Sequence, residues 1–285
     1  MATLIATVMT SADRSILITG CSSGIGATAA RAMALRGWRV FATARRDEDL
    51  ARLTGLQGIT PLRLDLADPA SISACAETVL EQTDGRLLAL FNNGAYGQPG
   101  AVEDLTAETL RAQFDVNVIG THDLTRRLLP AMIAQGRGRI VQCSSVLGLV
   151  AAPYRGAYCA SKFALEALSD ALRLELAGTG VRVSIIEPGP IRTRFVDNAV
   201  AAARARIDIA GSRHKSRYEA MLEALEAGGK QAFKLEPEAV VGKLIHAVES
   251  RRPKRRYYVT LPTYMAAGAK RVLPTALLDW LAARN

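Results

Sequence analysis

Residues 15–26 read SILITGCSSGIG: a short apolar strand, a turn, and three glycines, Gly20, Gly24 and Gly26, that open a helix. That order decides the fold, because a glycine cluster carries information only when it follows a strand and precedes a helix. Glycine permits the tight turn and a close backbone approach, and free N–H groups at a helix start attract a pyrophosphate. The spacing Gly20-x-x-x-Gly24-x-Gly26 departs from the dinucleotide pattern G-x-G-x-x-G, so a purely structural turn stands beside the nucleotide reading.

Outward from this turn, strand and helix alternate. Residues 38–44 (WRVFATA) and 60–66 (TPLRLDL) read as strands and Pro69–Gln82 as a helix with proline in its first turn. Further strands are expected at 87–91, 139–144 and Val181–Glu187, and helices at 108–135, with Pro130 as a candidate break, and at 157–177. The repetition predicts one α/β domain, a Rossmann-like doubly wound parallel sheet with helices on both faces. After Pro188 the rhythm loosens. Residues 193–234 are too long for an ordinary loop and read as a lid, helix-like at 218–226. A helix is expected at 236–249, an additional strand at 256–261, and a helical or irregular tail at 262–283 with breaks at Gly268 and Pro274.

With 285 residues, 49% hydrophobic and 22% charged, the chain can bury a large core and is not a disordered one. Its four cysteines, Cys21, Cys75, Cys143 and Cys159, show no C-x-x-C spacing, and residues 1–12 lack a basic stretch before an apolar one. A reduced, cytoplasmic protein is expected. The uncharged run 87–102 is interrupted by Asn92, Asn93 and Pro99, which argues against a membrane span. The net charge of +9 lies wholly in residues 191–285, which hold 18 basic and 9 acidic side chains, against 18 of each before them. With no finger or basic-zipper pattern, no nucleic-acid partner is expected. The basic run 251–256, beside Tyr257, Tyr258 and a segment bearing Tyr264 and Trp280, reads either as a solvated helix end or as a weak peripheral membrane contact.

Chemistry concentrates at strand ends. Strand two finishes Thr43-Ala44-Arg45-Arg46, so cations arrive where a carboxylate would grip a ribose hydroxyl. Arg45 and Arg46 suit a 2′-phosphate, hence NADP(H), unless they are surface charge only. Asp65 could meet an adenine amino group or cap a turn, and Asn92 and Asn93 could tie loop backbone beside a ligand or form an ordinary turn. Tyr158 and Lys162 are four apart in a helical stretch and share a face, where an ammonium can stabilise a phenolate. Ser144 or Ser145 ends strand five. A serine hydrolase is disfavoured, since His122, His214 and His246 are scattered and no G-x-S-x-G elbow is present. The same scatter of histidines and cysteines offers no metal set.

With these residues in order, the sequence resembles the short-chain dehydrogenase/reductase family over nearly all of 13–260. Thr19 to Gly26, Asp65, Asn92–Asn93, Asn117, Ser145, Tyr158, Lys162 and the run Pro188-Gly189-Pro190-Ile191-Arg192-Thr193 follow the family's order. It is similar in particular to bacterial NADP-dependent aldehyde reductases and to the retinol or 17β-hydroxysteroid dehydrogenase-like branch. The resemblance implies hydride exchange between a nicotinamide cofactor and a carbonyl/alcohol pair. Tyr158 would give the proton, Ser145, thirteen residues earlier, would hold the carbonyl oxygen, Lys162 would bind the nicotinamide ribose and depress the tyrosine pKa, and Asn117 would support a water-linked relay. Implied cofactor contacts are Gly20, Ser22, Ser23, Gly24, Ile25, Gly26, Asp65, Leu66, Asn92, Tyr158, Lys162, Pro188, Gly189, Ile191 and Thr193, with Arg45 and Arg46 from the strand-end reading. A homodimer or homotetramer is implied too. One departure is visible: the usual N-N-A-G is here Asn92-Asn93-Gly94-Ala95.

The expected layout is a catalytic domain over 13–260, including a lid at 193–235, and a C-terminal extension over 261–285. Leu147, Leu149, Pro153, Tyr154 and the Phe195 region could line an apolar pocket for a hydrophobic aldehyde or ketone, or simply pack sheet against helix. A retinol or hydroxysteroid dehydrogenase is the alternative within the family reading, and an inactive nucleotide-binding regulator the alternative outside it.

Overall fold

A computed structural model describes residues 14–227 and 232–283. Residue 13 of the expected domain, 228–231 of the expected lid and 284–285 of the extension lie outside the described residues. Seven parallel strands form one sheet: β1 Ser15–Ile18, β2 Arg39–Ala44, β3 Ile59–Arg63, β4 Ala89–Asn92, β5 Gly138–Cys143, β6 Val181–Glu187 and β7 Arg256–Tyr258. Their order is β3-β2-β1-β4-β5-β6-β7. The chain winds outward from β1 in one direction and then, from β4, in the other. The crevice between the carboxyl ends of β1 and β4 is where such a sheet receives a ligand.

Both faces are covered, as the near-continuous apolar strands require. On one face α1 (Gly24–Leu35) and α9 (Glu238–Glu249) set Ala29, Met33, Val240 and Leu244 against Ile16, Ile18, Val40 and Ala42. On the other, α3 (Pro69–Gln82), α5 (Thr121–Ala134) and α6 (Gly156–Glu175) set Ile72, Val79, Leu124, Leu128 and Leu172 against Leu17, Phe41 and Leu90. The split of Ile16 and Ile18 from Leu17 is the two-residue period of a strand sandwiched between helices.

Several elements differ from the sequence reading. A short helix, α2 (Asp47–Leu53), follows β2; its charged sequence lacks an apolar period, but Asp47, Glu48 and Asp49 fill its first turn, where the helix dipole favours acids. The long central helix is α4 (Ala107–Phe114), a π-turn over Asp115–Gly120, and α5, so the α geometry is interrupted at the π-turn rather than at Pro130, which lies inside α5. The expected lid contains α7 (Phe195–Arg206) and α8 (Lys215–Glu226), packed through Val200, Ala203 and Leu222. The last strand is cut to Arg256–Tyr258 because Val259 and Thr260 turn into α10 (Leu261–Val272); the tail breaks after α10, before α11 (Thr275–Ala283), and not at Gly268.

Two residues of the expected membrane patch turn inward. Tyr257 is buried, its hydroxyl accepting from the Lys254 amide at 2.8 Å and paired with His246. The Arg256 guanidinium reaches under the sheet edge to Glu187 at 2.6 Å, Asp170 at 2.5 Å and Glu166. Among the described residues no helix is long and apolar enough to cross a membrane.

This cluster sets a pH dependence. Burial, then the Glu166 charge, push the Glu187 carboxyl up to about 8, against the pull of Arg256. A raised carboxyl pKa means that the native state keeps a proton the unfolded chain has released, so stability falls as pH rises from the ordinary glutamate range toward 8. The thermal midpoint is expected to fall over that window, and more shallowly in Glu187→Gln; equal slopes in the two proteins would contradict the assignment.

Candidate active site

The carboxyl ends of β1, β4, β5 and β6 open into a cleft of about 470 Å3. Its floor is the glycine turn, where Gly20, Ser22, Ser23 and Ile25 line the cleft. Cys21 N–H donates to the Thr43 carbonyl at 2.7 Å and ties the turn to β2. Gly24 sits at φ +54, and a Cβ on Gly26 would run into the Gly20 carbonyl. Ser23 stands at the N-cap of α1 but its side chain makes no capping hydrogen bond. The helix start therefore keeps its first-turn N–H groups free of a side-chain cap, an arrangement suited to a pyrophosphate. Across the cleft lies the loop after β6, with Pro188, Gly189, Ile191 and Thr193 in its wall. A Cβ on Gly24 would come within 2.8 Å of Thr193 Cγ2, so the turn and the loop stand close together. Residue 235 pins the loop: Arg192 N–H donates to the Leu235 carbonyl at 2.9 Å and Leu235 N–H to the Pro190 carbonyl at 3.1 Å.

After β4 the two asparagines part. Asn93 lines the cleft and donates through Nδ2 to the Thr19 carbonyl at 2.9 Å, while Thr19 Oγ1 accepts the Asn93 and Gly94 amides. Asn92 is buried on the other side, donating to Thr125 Oγ1 at 2.8 Å, and is absent from the cleft wall. Strand alternation separates consecutive side chains. The Gly94-Ala95 order fits tightly: a Cβ at 94 would lie 3.1 Å from Thr19 Oγ1, and the methyl of Ala95 falls in the cleft lining.

Ser145, Tyr158 and Lys162 all line the cleft. Ser145 stands two residues beyond β5, and its Oγ accepts the Leu147 amide at 3.1 Å. Tyr158 and Lys162 lie one turn apart on α6, with Lys162 Nζ 5.6 Å from the phenol ring and donating to the Cys143 carbonyl at 2.8 Å. Burial pushes the Tyr158 phenol well above its ordinary range, with Cys143 acting the same way and the Ser145 hydroxyl opposing. Burial likewise lowers the Lys162 ammonium. The groups that pull the phenol down are the Ser145 hydroxyl and the Arg155 charge, and burial outweighs both.

Asn117 sits in the π-turn with its side chain buried. Its Nδ2 donates to the Tyr96 carbonyl at 3.0 Å and to Ser161 Oγ at 3.1 Å, and its Oδ1 accepts the Tyr96 amide. It joins the helix, the loop after β4 and the residue beside Lys162, an anchoring role.

Arg45, Arg46, Asp65 and Leu66 stand at the ends of β2 and β3, outside the cleft lining. Arg46 pairs with Glu48 and Asp49 at 2.9 Å, whereas Arg45 is exposed and forms no ion pair among the described residues. Asp65 caps its turn by accepting the Ala67 amide at 3.0 Å, and Leu66 is buried in the core. Of the expected pocket residues, Leu147 and Phe195 line the cleft; Pro153 and Tyr154 do not, and Leu149 borders a separate cavity. Tyr154 instead reaches the lid, its hydroxyl 3.1 Å from His214 Nδ1. The sequence reading missed Arg155, Gln98 and Asn198 in the cleft wall. Arg155 had a signal: it lies three residues before Tyr158, on the same helical face.

Glycine turn, uncapped helix start and facing loop fit a nicotinamide dinucleotide, and two hydroxyls beside a buried lysine can hold and protonate an oxygen. The family model for short chain dehydrogenase matches residues 14–204. The chain is 44% identical over 267 residues to the "uncharacterized oxidoreductase YbbO" of Escherichia coli (strain K12), covering 94% of this chain and 93% of that one. It is 34% identical to human 17-beta-hydroxysteroid dehydrogenase type 1, covering 86% of this chain and 77% of that protein. Among solved structures, a short chain dehydrogenase/reductase from Burkholderia phymatum in complex with NAD superposes with a TM-score of 0.77 at 27% identity, covering 96% of this chain and 97% of the other.

Proposed function

We propose, since the chain belongs to the short-chain dehydrogenase family, that this oxidoreductase uses NADP(H) to interconvert an apolar aldehyde or ketone and its alcohol. The observation that carries the reading is the convergence of Ser145, Tyr158 and Lys162 on one cleft that begins at the glycine turn and continues to an apolar wall of Leu147, Phe195, Val196 and Leu225. Gly20, Ser22, Ser23, Ile25 and the 188–193 loop would hold the cofactor, which supplies the hydride when bound.

In the reductive direction Ser145 Oγ orients the substrate oxygen and Tyr158 Oη gives it a proton. A phenol whose pKa is raised by burial is in the donor state across neutral pH. Lys162, anchored on the Cys143 carbonyl, stands with its ammonium 5.6 Å from the phenol ring and supplies a positive charge as that proton leaves. Asn117 holds this helix turn in place through Tyr96 and Ser161. Convergence of Ser145, Tyr158 and Lys162 on one cleft, with Asn117 buried behind it, argues against an inactive nucleotide-binding regulator. A steroid or retinoid carbonyl is the second reading, favoured by the apolar wall and by the relative named as a 17-beta-hydroxysteroid dehydrogenase.

An aldehyde panel with NADPH tests the reading. kcat/KM is expected to rise with chain length, by up to about fourfold per added CH2, the equivalent of roughly 0.8 kcal/mol, until the pocket is full. A steady preference for short polar carbonyls would count against it. Self-association is part of the proposal, supported by Phe163, Leu168 and Leu174 standing exposed on α6; a light-scattering mass near 30.5 kDa would refute it. All four cysteines are buried and free, which supports a reducing, cytoplasmic setting.

A further inference from the structure

Arg155 lines the cleft but has no role in the reading above. It is half-buried, and among the described residues its side chain has neither an ion pair nor a hydrogen bond. A guanidinium that faces a ligand cleft with no protein partner keeps its hydrogen-bond donors available to an anion that enters there. Burial lowers its pKa from the ordinary arginine range, with no carboxylate among the groups acting on it.

Its placement is held by strain. The preceding residue, Tyr154, has φ +59, a left-handed conformation that a tyrosine rarely adopts. Three contacts enforce it. Gly100 N–H donates to the Tyr154 carbonyl at 3.0 Å, Gly100 and Arg155 form a parallel bridge, and the Tyr154 hydroxyl meets His214, which in turn pairs with Glu103. Arg155 then becomes the N-cap of α6, one turn ahead of Tyr158. Gly100 fixes its backbone beside the catalytic helix turn, and the charge coupling between Arg155 and Tyr158 puts its guanidinium near the reacting phenol. The neighbouring wall is apolar: Phe195 stacks obliquely against Tyr158 at 5.4 Å between ring centres.

We infer that Arg155 is a specificity residue which binds a carboxylate on the substrate, so that the preferred substrates are oxo-acids with an apolar body, the carbonyl at Tyr158 and the acid at Arg155. This rests on the oxidoreductase reading and narrows it. A charge-assisted bond to a half-buried guanidinium would favour the acid over a neutral analogue by at least about tenfold.

The test uses the full-length protein, NADPH and a length series of ω-oxo carboxylates, each paired with its methyl ester. The wild type is expected to show, at one or more lengths, a kcat/KM for the acid at least about tenfold above that for the ester, mostly through KM. In Arg155→Met that ratio should collapse toward one, and Arg155→Lys should restore part of it. No preference for the acid at any length, or a preference that survives in Arg155→Met, overturns the inference while leaving the oxidoreductase reading intact. If no carbonyl compound is turned over at all, that reading fails, and calorimetric titration with octanoate decides on Arg155. Binding that weakens at least about tenfold in Arg155→Met supports the carboxylate site, and equal or absent binding in both proteins overturns it.

Discussion

Tyr158→Phe is expected to lower kcat by at least about 100-fold while leaving NADPH affinity largely intact. The substitution removes one oxygen from a ring that is buried on α6 and packed against Phe195, so the cleft keeps its shape. What is lost is the phenolic proton beside Ser145; serine can orient an oxygen but is too weak an acid to replace a phenol. Steady-state kinetics beside fluorescence titration of NADPH separate the two effects, and near-wild-type turnover would remove Tyr158 from the mechanism. The raised phenol pKa adds a direction. Reduction needs the protonated form and should hold through neutral pH, whereas alcohol oxidation needs the phenolate and should speed up as pH rises. Oxidation that slows with rising pH would contradict this assignment of proton donor and acceptor.

Arg45→Ala should weaken NADPH by about 10–150-fold, the equivalent of roughly 1.4–3 kcal/mol, and change NADH much less. The end of β2 offers no carboxylate at Ala44 to repel a 2′-phosphate, and Thr43 ties that strand end to the glycine turn. From the sequence Arg45 is the first choice and Arg46 the second, because consecutive side chains point to different sides, with helix-start geometry able to reverse them. The structure gives the same order a further reason: Arg46 is engaged by Glu48 and Asp49 across the start of α2, while Arg45 is exposed and forms no ion pair among the described residues. Arg46→Ala should therefore cost less, and the double variant little more than Arg45→Ala. Because Arg45 is exposed, salt screens it, and the measurement belongs at fixed ionic strength. Tighter binding of NADH than NADPH by the wild-type protein would reject the cofactor preference while leaving the hydride chemistry in place.

Local signals in the chain were enough for the doubly wound sheet and for singling out several residues that the fold gathers in the cleft. Residues 15–26 announce strand, turn and helix through apolar run and glycine spacing alone, and Tyr158 and Lys162 share a face because a helix repeats every 3.6 residues. These are short-range properties, set by backbone geometry within a few residues. Other features needed the folded molecule. That Asn93 and not Asn92 faces the cleft depends on the register of β4 against its neighbours, since a one-residue shift turns every side chain to the opposite face. The π-turn at Asp115–Gly120 depends on Asn117 finding Tyr96 and Ser161, partners 21 and 44 residues away. Burial, a property of the whole core, decides that the Tyr158 phenol rises although a lysine stands one turn away. The place of Arg155, without an ion pair among the described residues, is visible only once a strained tyrosine, Gly100 and a lid residue 60 positions from that tyrosine have been brought together. Periodicity and turn chemistry act along the chain, where sequence displays them, whereas desolvation, pairing and register act between segments that only the tertiary fold makes neighbours.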